Sequence, residues 1–445
     1  MLTAHVACGY GHRAKFGRAK VGRPDRCCRV PAQLGRREPD ACLYTWPTRR
    51  VVNGRMVASR AMRTSIDHPR VLAEAEWAEW NTAVDPYSVG VEEEVMLLDP
   101  LRRWALAQRI EDALAVLPPA LVGYVSAETH QAAIELRTDP HESVGAATDQ
   151  LRQLRVELAA LLGQMGLATA AAGTHPLALS SATRVTSTSR YQLIRQTMRD
   201  LATREPTFAL HVHIAVPDPE RAIDLYNRLR AHLPLLLALS GNSPFWRGRD
   251  SGFASIRTVL FQAFPRTGIP RRYGSYSDWV ETVDLQLRAG AIPEPTFLWW
   301  DVRPQPRLGT VEVRVMDAQS RIRDTASLVA LTQSIARLEL EEGYASEAIM
   351  SSDEVLAENH FLAARDGVDA RLIDPTTESL RPLREQLIEL IDSLSHHAAE
   401  LGCLEHLERV AAVAAAPGAA RLRAHPTGEA GLADLMPMLA GVFTE

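Results

Sequence analysis

Residues 88–98 read SVGVEEEVMLL, a run in which Glu92 and Glu94 lie two positions apart and are flanked by the apolar residues Val91 and Val95. A period of two is typical of a β-strand that is buried on one face. Glu92 and Glu94 therefore project from one face of this strand, and Val91 and Val95 project from the other. We expect the surrounding sheet to be apolar on one side and charged on the other.

Three further predicted strands place two ionisable residues two positions apart among apolar neighbours: Glu135/Arg137, His211/His213 and Glu312/Arg314. Any one such pair fits the solvated face of an ordinary antiparallel strand. Four pairs together indicate a shared site, because unpaired carboxylates are costly to bury and a divalent cation would collect them. Ligands that are mostly oxygen favour Mg²⁺ or Mn²⁺ over zinc, and the arginines would bind carboxylate or phosphate.

The overall composition is that of a globular protein, with 445 residues of which 46% are hydrophobic and 23% charged. The apolar run Leu233–Leu239 is far shorter than the roughly 20 residues that a bilayer span requires. The first residues lack the basic start and apolar core of a secretory signal. These features predict a cytoplasmic protein with no membrane partner.

Basic residues are concentrated at the start of the chain. Residues 1–70 carry 15 Lys and Arg against 4 Asp and Glu, whereas the whole chain has 49 against 54. Segment 1–68 lacks hydrophobic periodicity, so we predict a disordered extension and not a nucleic-acid-binding arm. An alternative is that translation starts at Met56 or Met62. No standard zinc-finger spacing fits its four cysteines, Cys8, Cys27, Cys28 and Cys42.

Residues 69–445, the predicted catalytic domain, contain no lysine, because Lys15 and Lys20 both lie in the extension. This absence excludes a P-loop lysine, a Schiff-base lysine and a lysine general base from the folded part. Any phosphate bound there must be held by arginine, by backbone amides or by a metal ion.

The order of patterns along the catalytic domain predicts an α+β fold. Further strands are predicted at 134–138, 167–172, 208–216 and 310–316. Helices are predicted at 69–80, through Leu151–Leu162, at 190–204, at 219–240 and over 325–415. A loop region rich in Pro, Gly and Arg spans 242–273. Helical C-terminal surfaces of this extent permit a homo-oligomer.

Two loops have the composition of binding segments. A turn at Gly173–Pro176 could present Thr174 and His175 to a ligand, although a histidine that caps a turn explains it equally well. The loop from Ser240 to Arg257 mixes glycines, arginines and Trp246, a mixture that can stack on a base and bind phosphate. It also fits a long surface loop.

Several of these segments, taken in order, resemble the bacterial carboxylate–amine ligases of the glutamate–cysteine ligase type 2 family. The resemblance spans roughly Tyr87 to Glu342. It rests on Gly90–Glu94 (GVEEE), Gly173–Pro176 (GTHP), His211–His213 (HVH), Leu237–Ser240 (LALS), Ser243–Trp246 (SPFW), Trp299–Pro304 (WWDVRP) and Thr310–Arg314 (TVEVR).

The resemblance implies a glutamine-synthetase-like catalytic fold, with a curved antiparallel sheet that holds divalent metals, ATP and a carboxylate substrate. ATP would convert the carboxylate to an acyl phosphate, which an amine then attacks. By analogy, the metal ligands are Glu92, Glu94, Glu135, His211, His213 and Glu312. The residues for ATP are Arg303, Trp246, Thr174 and His175, and the catalytic residues are Arg137, Arg257 and Arg314.

Three functions remain open from the sequence. The first is ligation of glutamate to cysteine, even as a weak side activity of an enzyme with other substrates. The second is phosphoryl transfer to a carboxylate or guanidino group without ligation. The third is a non-catalytic nucleotide-binding protein. A zinc hydrolase barrel is excluded, because the helical C-terminal region does not supply the eight βα units and further histidines that such a barrel needs.

Overall fold

An eight-stranded sheet lies at the centre of the fold in the computed structural model, which describes residues 75–426 and 428–445. Three two-stranded sheets accompany it. The strands are β1 Val89–Asp99, β2 Ala105–Leu106, β3 Val125–Ala127, β4 Ala133–Arg137, β5 Ala168–Ala170, β6 Ala209–Ala215, β7 Phe245–Trp246, β8 Arg249–Asp250, β9 Thr267–Gly268, β10 Trp299–Trp300, β11 Val302–Gln305, β12 Thr310–Asp317, β13 Arg371–Asp374 and β14 Ser379–Pro382.

Strand β1 organises the central sheet, whose main order is β11-β12-β6-β1-β4-β3, with every pairing antiparallel. Its first half pairs with β6 and β4, and its second half pairs with β5 and β2. All five predicted strands are present, with bounds that differ by at most two residues at either end.

Helices surround the central sheet, and the longest of them pack against it. The helices are α1 Ile110–Leu114, α2 Val144–Gln164, α3 Ser189–Met198, α4 Pro219–Ser240, α5 Ile256–Phe261, α6 Tyr276–Arg288, α7 Ile322–Glu341, α8 Glu347–Met350, α9 Asp353–Asp366, α10 Leu383–Glu400, α11 Leu404–Glu408, α12 Val410–Ala415, α13 Gly418–Arg423 and α14 Glu429–Val442. Helices α2, α4 and α7 contact β1, β6 or β12.

Helices α2 and α4 begin where the sequence supplies caps. The Ser143 side chain accepts a hydrogen bond from the Ala146 amide, and the Asp218 side chain accepts one from the Arg221 amide. Such caps satisfy amides that have no partner within the helix. The leucines at helical spacing in α2 face the core: Leu151, Leu154, Leu158 and Leu162 are buried, and the partly buried Leu161 packs against them.

The middle glutamate of β1 faces away from its two neighbours. Glu93 lies between the sheet and α2, where it is fully buried and forms an ion pair with the equally buried Arg155. The Arg155 Nε atom donates to Glu93 Oε2 over 2.8 Å. The same guanidinium donates to the carbonyls of Gln319, Ser320 and Phe443. The buried Arg155 side chain, which belongs to α2, thus links that helix to β1 and to the residue that follows α14.

Two helix predictions and one loop prediction need correction first. Within the described part of 69–80, only a 3₁₀ turn at Glu76–Ala78 forms. Helix α3 ends at Met198 because Arg199 adopts a left-handed φ of 56°, and a 3₁₀ turn follows. The predicted loop region 242–273 contains the helix α5.

The predicted helical region 325–415 is interrupted by the β13–β14 hairpin. Asp374 accepts the amide of Thr376 at the turn, and Glu378 supplies a left-handed φ of 51°. The Asn359 side chain anchors the hairpin through both backbone groups of Ile373. This pairing with α9 holds the segment as strands.

All described residues belong to one unit, Arg70–Glu445. The predicted basic extension 1–68 and its cysteines lie outside the described residues. No helix in the part of the chain that the structure describes combines the length and the apolar character needed to cross a membrane.

Candidate active site

Strand pairing brings the four predicted pairs together on the face of the sheet opposite α2. Glu92 lies opposite His211 on one side and opposite Arg137 on the other. Glu312 lies opposite His213. Side chains at such paired positions are direct neighbours, so residues as far apart in sequence as Glu92 and Arg314 share one surface.

A β-bulge in β12 adjusts this surface. The register with β6 shifts between Val313 and Met316, so that Arg314 and Val315 together lie opposite His211. A bulge of this kind twists a strand and redirects its side chains. The Arg314 Nη1 atom consequently lies 3.4 Å from His211 Nδ1.

Glu92, His211 and Glu312 form a group, called the cradle below, that could hold a cation, since one ligand atom from each lies within 4.8 Å of the others. His211 Nδ1 is 3.2 Å from Glu92 Oε2 and 3.7 Å from Glu312 Oε1. His213 Nδ1 contacts Thr310 Oγ1 at 3.0 Å, and the Nε2 atoms of both histidines lack a hydrogen-bond partner among the described residues. Buried nitrogens without partners beside carboxylates fit a bound divalent cation.

Electrostatics favour ligand-competent protonation states in the cradle. Burial alone would raise the pKa of Glu92, but His213 and the hydrogen bond from His211 hold it below its ordinary value. Burial, and then the charge of Arg314, lower the pKa of His211 to about 4. His211 is therefore neutral at pH 7, the form in which imidazole binds metal. Burial would lower the pKa of His213, but Glu312 and Glu92 raise it.

Glu312 is the most constrained acid of the site. It is fully buried, Arg303 Nε donates to its Oε2 over 2.6 Å, and Arg314 donates to its Oε1. Gln305 adds a hydrogen bond of 2.5 Å. Burial would raise the pKa of Glu312, yet the two guanidinium groups hold it well below its ordinary value. This carboxylate therefore stays charged and fixed in place.

A second acidic group lies beside the cradle. Glu94, Glu128 and Glu135 line the same cavity. Burial, and then the charge of Glu128, raise the pKa of Glu94 to about 7, although its Oε2 accepts the Ala209 amide. Burial and the charges of neighbouring glutamates raise the pKa of Glu135 well above its ordinary value. A cation between such carboxylates would lower the repulsion among them and allow them to ionise together.

The arginines of the site differ in how fully their donors are used. Arg257 is buried and donates to the carbonyls of Val315 and Arg314, while its Nε has no partner among the described residues. Arg137 is exposed and donates to the Gly123 carbonyl over 2.8 Å. Guanidinium donors left free in a cavity can bind carboxylate or phosphate.

Two cavities meet at these residues. One has a volume of about 420 Å³ and is lined by Glu92 and His211 of the cradle and by the second acidic group. Its walls also include Arg257, Arg314 and the aromatic side chains Phe261, Phe264 and Trp299. The other has a volume of about 870 Å³ and lies toward the start of β1. Glu92, Arg137, His213 and Leu308 line both. The cradle therefore lies between two spaces, each large enough for a small molecule.

Comparison with known proteins identifies the family. A sequence profile described as glutamate–cysteine ligase family 2 (GCS2) matches residues 88–426 of the chain. The chain belongs to glutamate–cysteine ligase family 2. Its members are carboxylate–amine ligases, so the cavity described above is the candidate active site of such a ligase.

Two relatives from Rubrobacter xylanophilus support this assignment. The chain is 41% identical to the protein named "Putative glutamate--cysteine ligase 2-1" over 72% of this chain and 85% of that one. It is 39% identical to "Putative glutamate--cysteine ligase 2-3" over 80% of this chain and 97% of that one.

The fold matches that of a ligase of known structure. Glutamate–cysteine ligase from Francisella tularensis, solved in complex with AMP, superposes with a TM-score of 0.57 at 13% identity. The match covers 82% of this chain and 90% of that one. The predicted α+β fold, with a large antiparallel sheet and a helical C-terminal region, is confirmed.

Most residues predicted for the ligase site lie together on the cavity walls. They are Glu92, Glu94, Glu135, Arg137, His211, His213, Arg257, Arg303 and Arg314. Glu312 joins them through its contacts with Arg303, Arg314 and the histidines. Their roles as ligands or catalytic groups stay predictions.

Three predicted ATP-binding residues do not line the two cavities. Thr174 is buried and donates to the Phe245 carbonyl. Both ring nitrogens of His175 contact backbone atoms, Nε2 with the Trp104 carbonyl at 2.9 Å and Nδ1 with the Leu177 amide at 3.1 Å. These contacts hold the turn together. Trp246 stacks with Arg247 at 4.8 Å, outside the cavity lining.

Several lining residues escaped the sequence analysis: Glu128, Arg190, Tyr191 and Glu205. Glu128 immediately follows the short strand β3. It lies two positions after Ser126, which is the spacing of the other polar pairs. That signal was available but lies in a strand of three residues. Arg190 and Tyr191 lie on α3, which no charged pattern marks.

Proposed function

We propose that this ligase joins glutamate to cysteine with ATP as the energy source, forming γ-glutamylcysteine. The observation that carries the proposal is the cation cradle of Glu92, His211 and Glu312, with arginines beside it and cavities on either side. Membership of glutamate–cysteine ligase family 2 supports the choice of substrates.

The reaction concentrates negative charge. A carboxylate oxygen attacks the γ-phosphorus of ATP, ADP leaves, and an acyl phosphate forms. The amine nitrogen then attacks the acyl carbon, phosphate leaves, and the nitrogen loses a proton to give the amide. Phosphoryl transfer of this kind depends mainly on positioning and on positive charge around the transferring group.

The residues of the cradle have the chemistry to hold Mg²⁺ or Mn²⁺. Glu92 and Glu312 offer charged oxygens, and neutral His211 offers a nitrogen. Glu94, Glu128 and Glu135 offer oxygens for a second ion. Such a cation neutralises charge on the phosphoryl group and orients it.

Arginine side chains would bind the phosphate groups of ATP, because residues 69–445 contain no lysine. Arg257 and Arg314 both line the cavity, and the Nε atom of each is buried without a hydrogen-bond partner among the described residues. An anionic oxygen from phosphate or carboxylate would satisfy these donors. Their guanidinium groups are charged at any working pH.

The two cavities suit two different ligands. The smaller has the aromatic wall of Phe261, Phe264 and Trp299, which fits an adenine base. The AMP complex of the Francisella tularensis ligase supports a nucleotide in this fold. The larger cavity would admit the amino acids, and Glu92 and Arg137 border both.

A coupled assay tests the proposal. Purified protein is incubated with ATP, Mg²⁺ or Mn²⁺, glutamate and cysteine, and both ADP and the amide are quantified, the amide by mass spectrometry. We expect amide only when all components are present, and loss of amide in Glu312→Gln. Glu389→Gln, which changes an exposed acid on α10, serves as the matched control.

Other outcomes would redirect the assignment. Hydroxylamine traps an acyl phosphate as a hydroxamate, so hydroxamate with glutamate but no amide with cysteine would refute cysteine as the amine. Release of an intact phosphorylated product without an amide would indicate a phosphotransferase. No ATP binding at all would refute the nucleotide-dependent mechanism.

A further inference from the structure

A second group of potential metal ligands lies away from the candidate active site. Glu342 caps the end of α7, and His396 and His397 lie near the end of α10. One ligand atom from each lies within 4.8 Å of the other two. None of the three lines the cavities around Glu92.

The geometry converges on one carboxylate oxygen. The Nε2 atoms of His396 and His397 lie 3.1 Å and 3.0 Å from Glu342 Oε1. In a tetrahedral zinc site with bonds of about 2.0–2.1 Å, neighbouring ligand atoms lie roughly 3.3 Å apart. A movement of a few tenths of an ångström would therefore admit an ion between them.

His397 supplies an independent observation. Its side chain is only 1% exposed, and its Nδ1 is buried without a hydrogen-bond partner among the described residues. That atom faces Glu341 Oε2 at 3.6 Å. If Nε2 carries the proton, Nδ1 presents a lone pair to a carboxylate, an unfavourable contact in a buried place.

A bound cation would resolve this contact. With Nε2 of His397 bonded to a metal, Nδ1 carries the proton and donates to Glu341. A carboxylate that holds the far nitrogen of a metal-binding histidine is a recurrent feature of metal sites. Glu341 is itself positioned, since Arg337 Nε donates to it over 2.8 Å and Tyr87 Oη lies 3.5 Å away.

Access and ligand type define the ion. The Glu342 and His396 side chains are 53% and 58% exposed, so an ion can enter and keep water as a further ligand. Two imidazoles and one carboxylate suit zinc and similar borderline cations, whereas Mg²⁺ prefers oxygen ligands. We propose that Glu342, His396 and His397 bind a zinc-class divalent cation, with Glu341 as the positioning residue for His397.

Such an ion would join two helices that support the sheet. Helix α7 contacts β1 and β6, which carry Glu92 and His211, and α10 packs against α7. Glu341 also contacts Tyr87, two residues before β1 begins. The site would thus stabilise the scaffold behind the cavity and is independent of the proposed ligation.

Zinc binding to the full chain, without an affinity tag, tests this assignment. Equilibrium dialysis of the wild type is compared with Glu342→Gln/His396→Ala, both at exposed positions that leave the core intact. We expect the double variant to bind one equivalent less. Glu389→Gln, which alters an acid on α10 that is 54% exposed, should bind as the wild type does. Zinc bound to the Glu92 cradle or to cysteines contributes equally to the wild type and the double variant, so it does not affect the difference in their zinc stoichiometry.

Cobalt supplies a spectroscopic signature. The wild-type minus variant spectrum should show d–d bands of nitrogen and oxygen coordination without a thiolate charge-transfer band. We expect Glu341→Gln to keep the ligands but bind zinc about 10–100-fold more weakly. Equal zinc stoichiometry in the wild type and the double variant would overturn the proposal. A cobalt difference spectrum without d–d bands would overturn it as well, because His396 and His397 would then bind protons but no metal ion.

Discussion

Substitution of Glu93 should lower the stability of the protein and spare its activity, because Glu93 faces α2. Substitution of its neighbour Glu92 should lower activity and spare stability, because Glu92 faces the cavity. Replacing Arg155 with Met leaves the fully buried Glu93 carboxylate without its counter-charge and removes donors from three carbonyls. Breaking a buried ion pair from one side costs about 3–5 kcal/mol. This loss is a large fraction of the stability of an ordinary domain.

The Glu93→Gln variant keeps one oxygen acceptor for Arg155 but loses the charge, and its NH2 group replaces the second acceptor. We expect a smaller cost than for Arg155→Met, about 1.5–3 kcal/mol, which is the range for hydrogen bonds to charged groups. Since the two side chains touch, the double variant should be less destabilised than the sum of the single variants by about 1–3 kcal/mol. Urea denaturation followed by circular dichroism measures all three values.

Activity separates the two faces of the strand. Glu93→Gln should retain ligase activity at low urea, whereas Glu92→Gln, the matched control one residue away, should lose activity with little change in the urea midpoint. The reasoning fails if Arg155→Met costs less than about 1 kcal/mol, or if the single effects add within about 0.5 kcal/mol.

Burial and Glu128 raise the pKa of Glu94 from 4.5 to about 7, so the stability tied to its protonated form is complete below pH 4.5 and is lost as the pH rises to about 7. In EDTA, melting temperature over this window should fall more for the wild type than for Glu94→Gln, and Mn²⁺ should remove the difference. Glu312→Gln should lower kcat by about 100-fold or more, measured by ADP release, while a kcat near the wild-type value would contradict its role. His175→Ala should lower the melting temperature through lost backbone contacts yet leave the KM for ATP unchanged; a raised KM would show that His175 reaches the nucleotide.

The strand period alone predicted much of the site. Glu92, His211 and Glu312 are far apart in sequence, but each belongs to a pair with a spacing of two, and antiparallel pairing then sets them side by side. A local rule sufficed because side-chain direction in a strand depends only on the backbone.

Features set by distant contacts could not be predicted in this way. The role of Glu93 depends on Arg155, which lies 62 residues further on in a different element. His175 looked like a ligand-binding residue because its turn is polar, yet the Trp104 carbonyl uses its Nε2 atom. The β13–β14 hairpin depends on Asn359, whose side chain holds Ile373. None of these partners is visible in local periodicity.

The bond from Arg155 to the Phe443 carbonyl spans 288 residues of chain. During synthesis, β1 and α2 leave the ribosome long before Phe443, so this Arg155 donor binds water until the Phe443 carbonyl is available. The sheet that carries the acidic residues of the candidate site therefore gains this support only after Phe443 has been synthesised. A nascent chain that stalls before Phe443, or that is cleaved there, would lack this hydrogen bond to Arg155. Strand β1 would then be incompletely packed and accessible to chaperones or proteases.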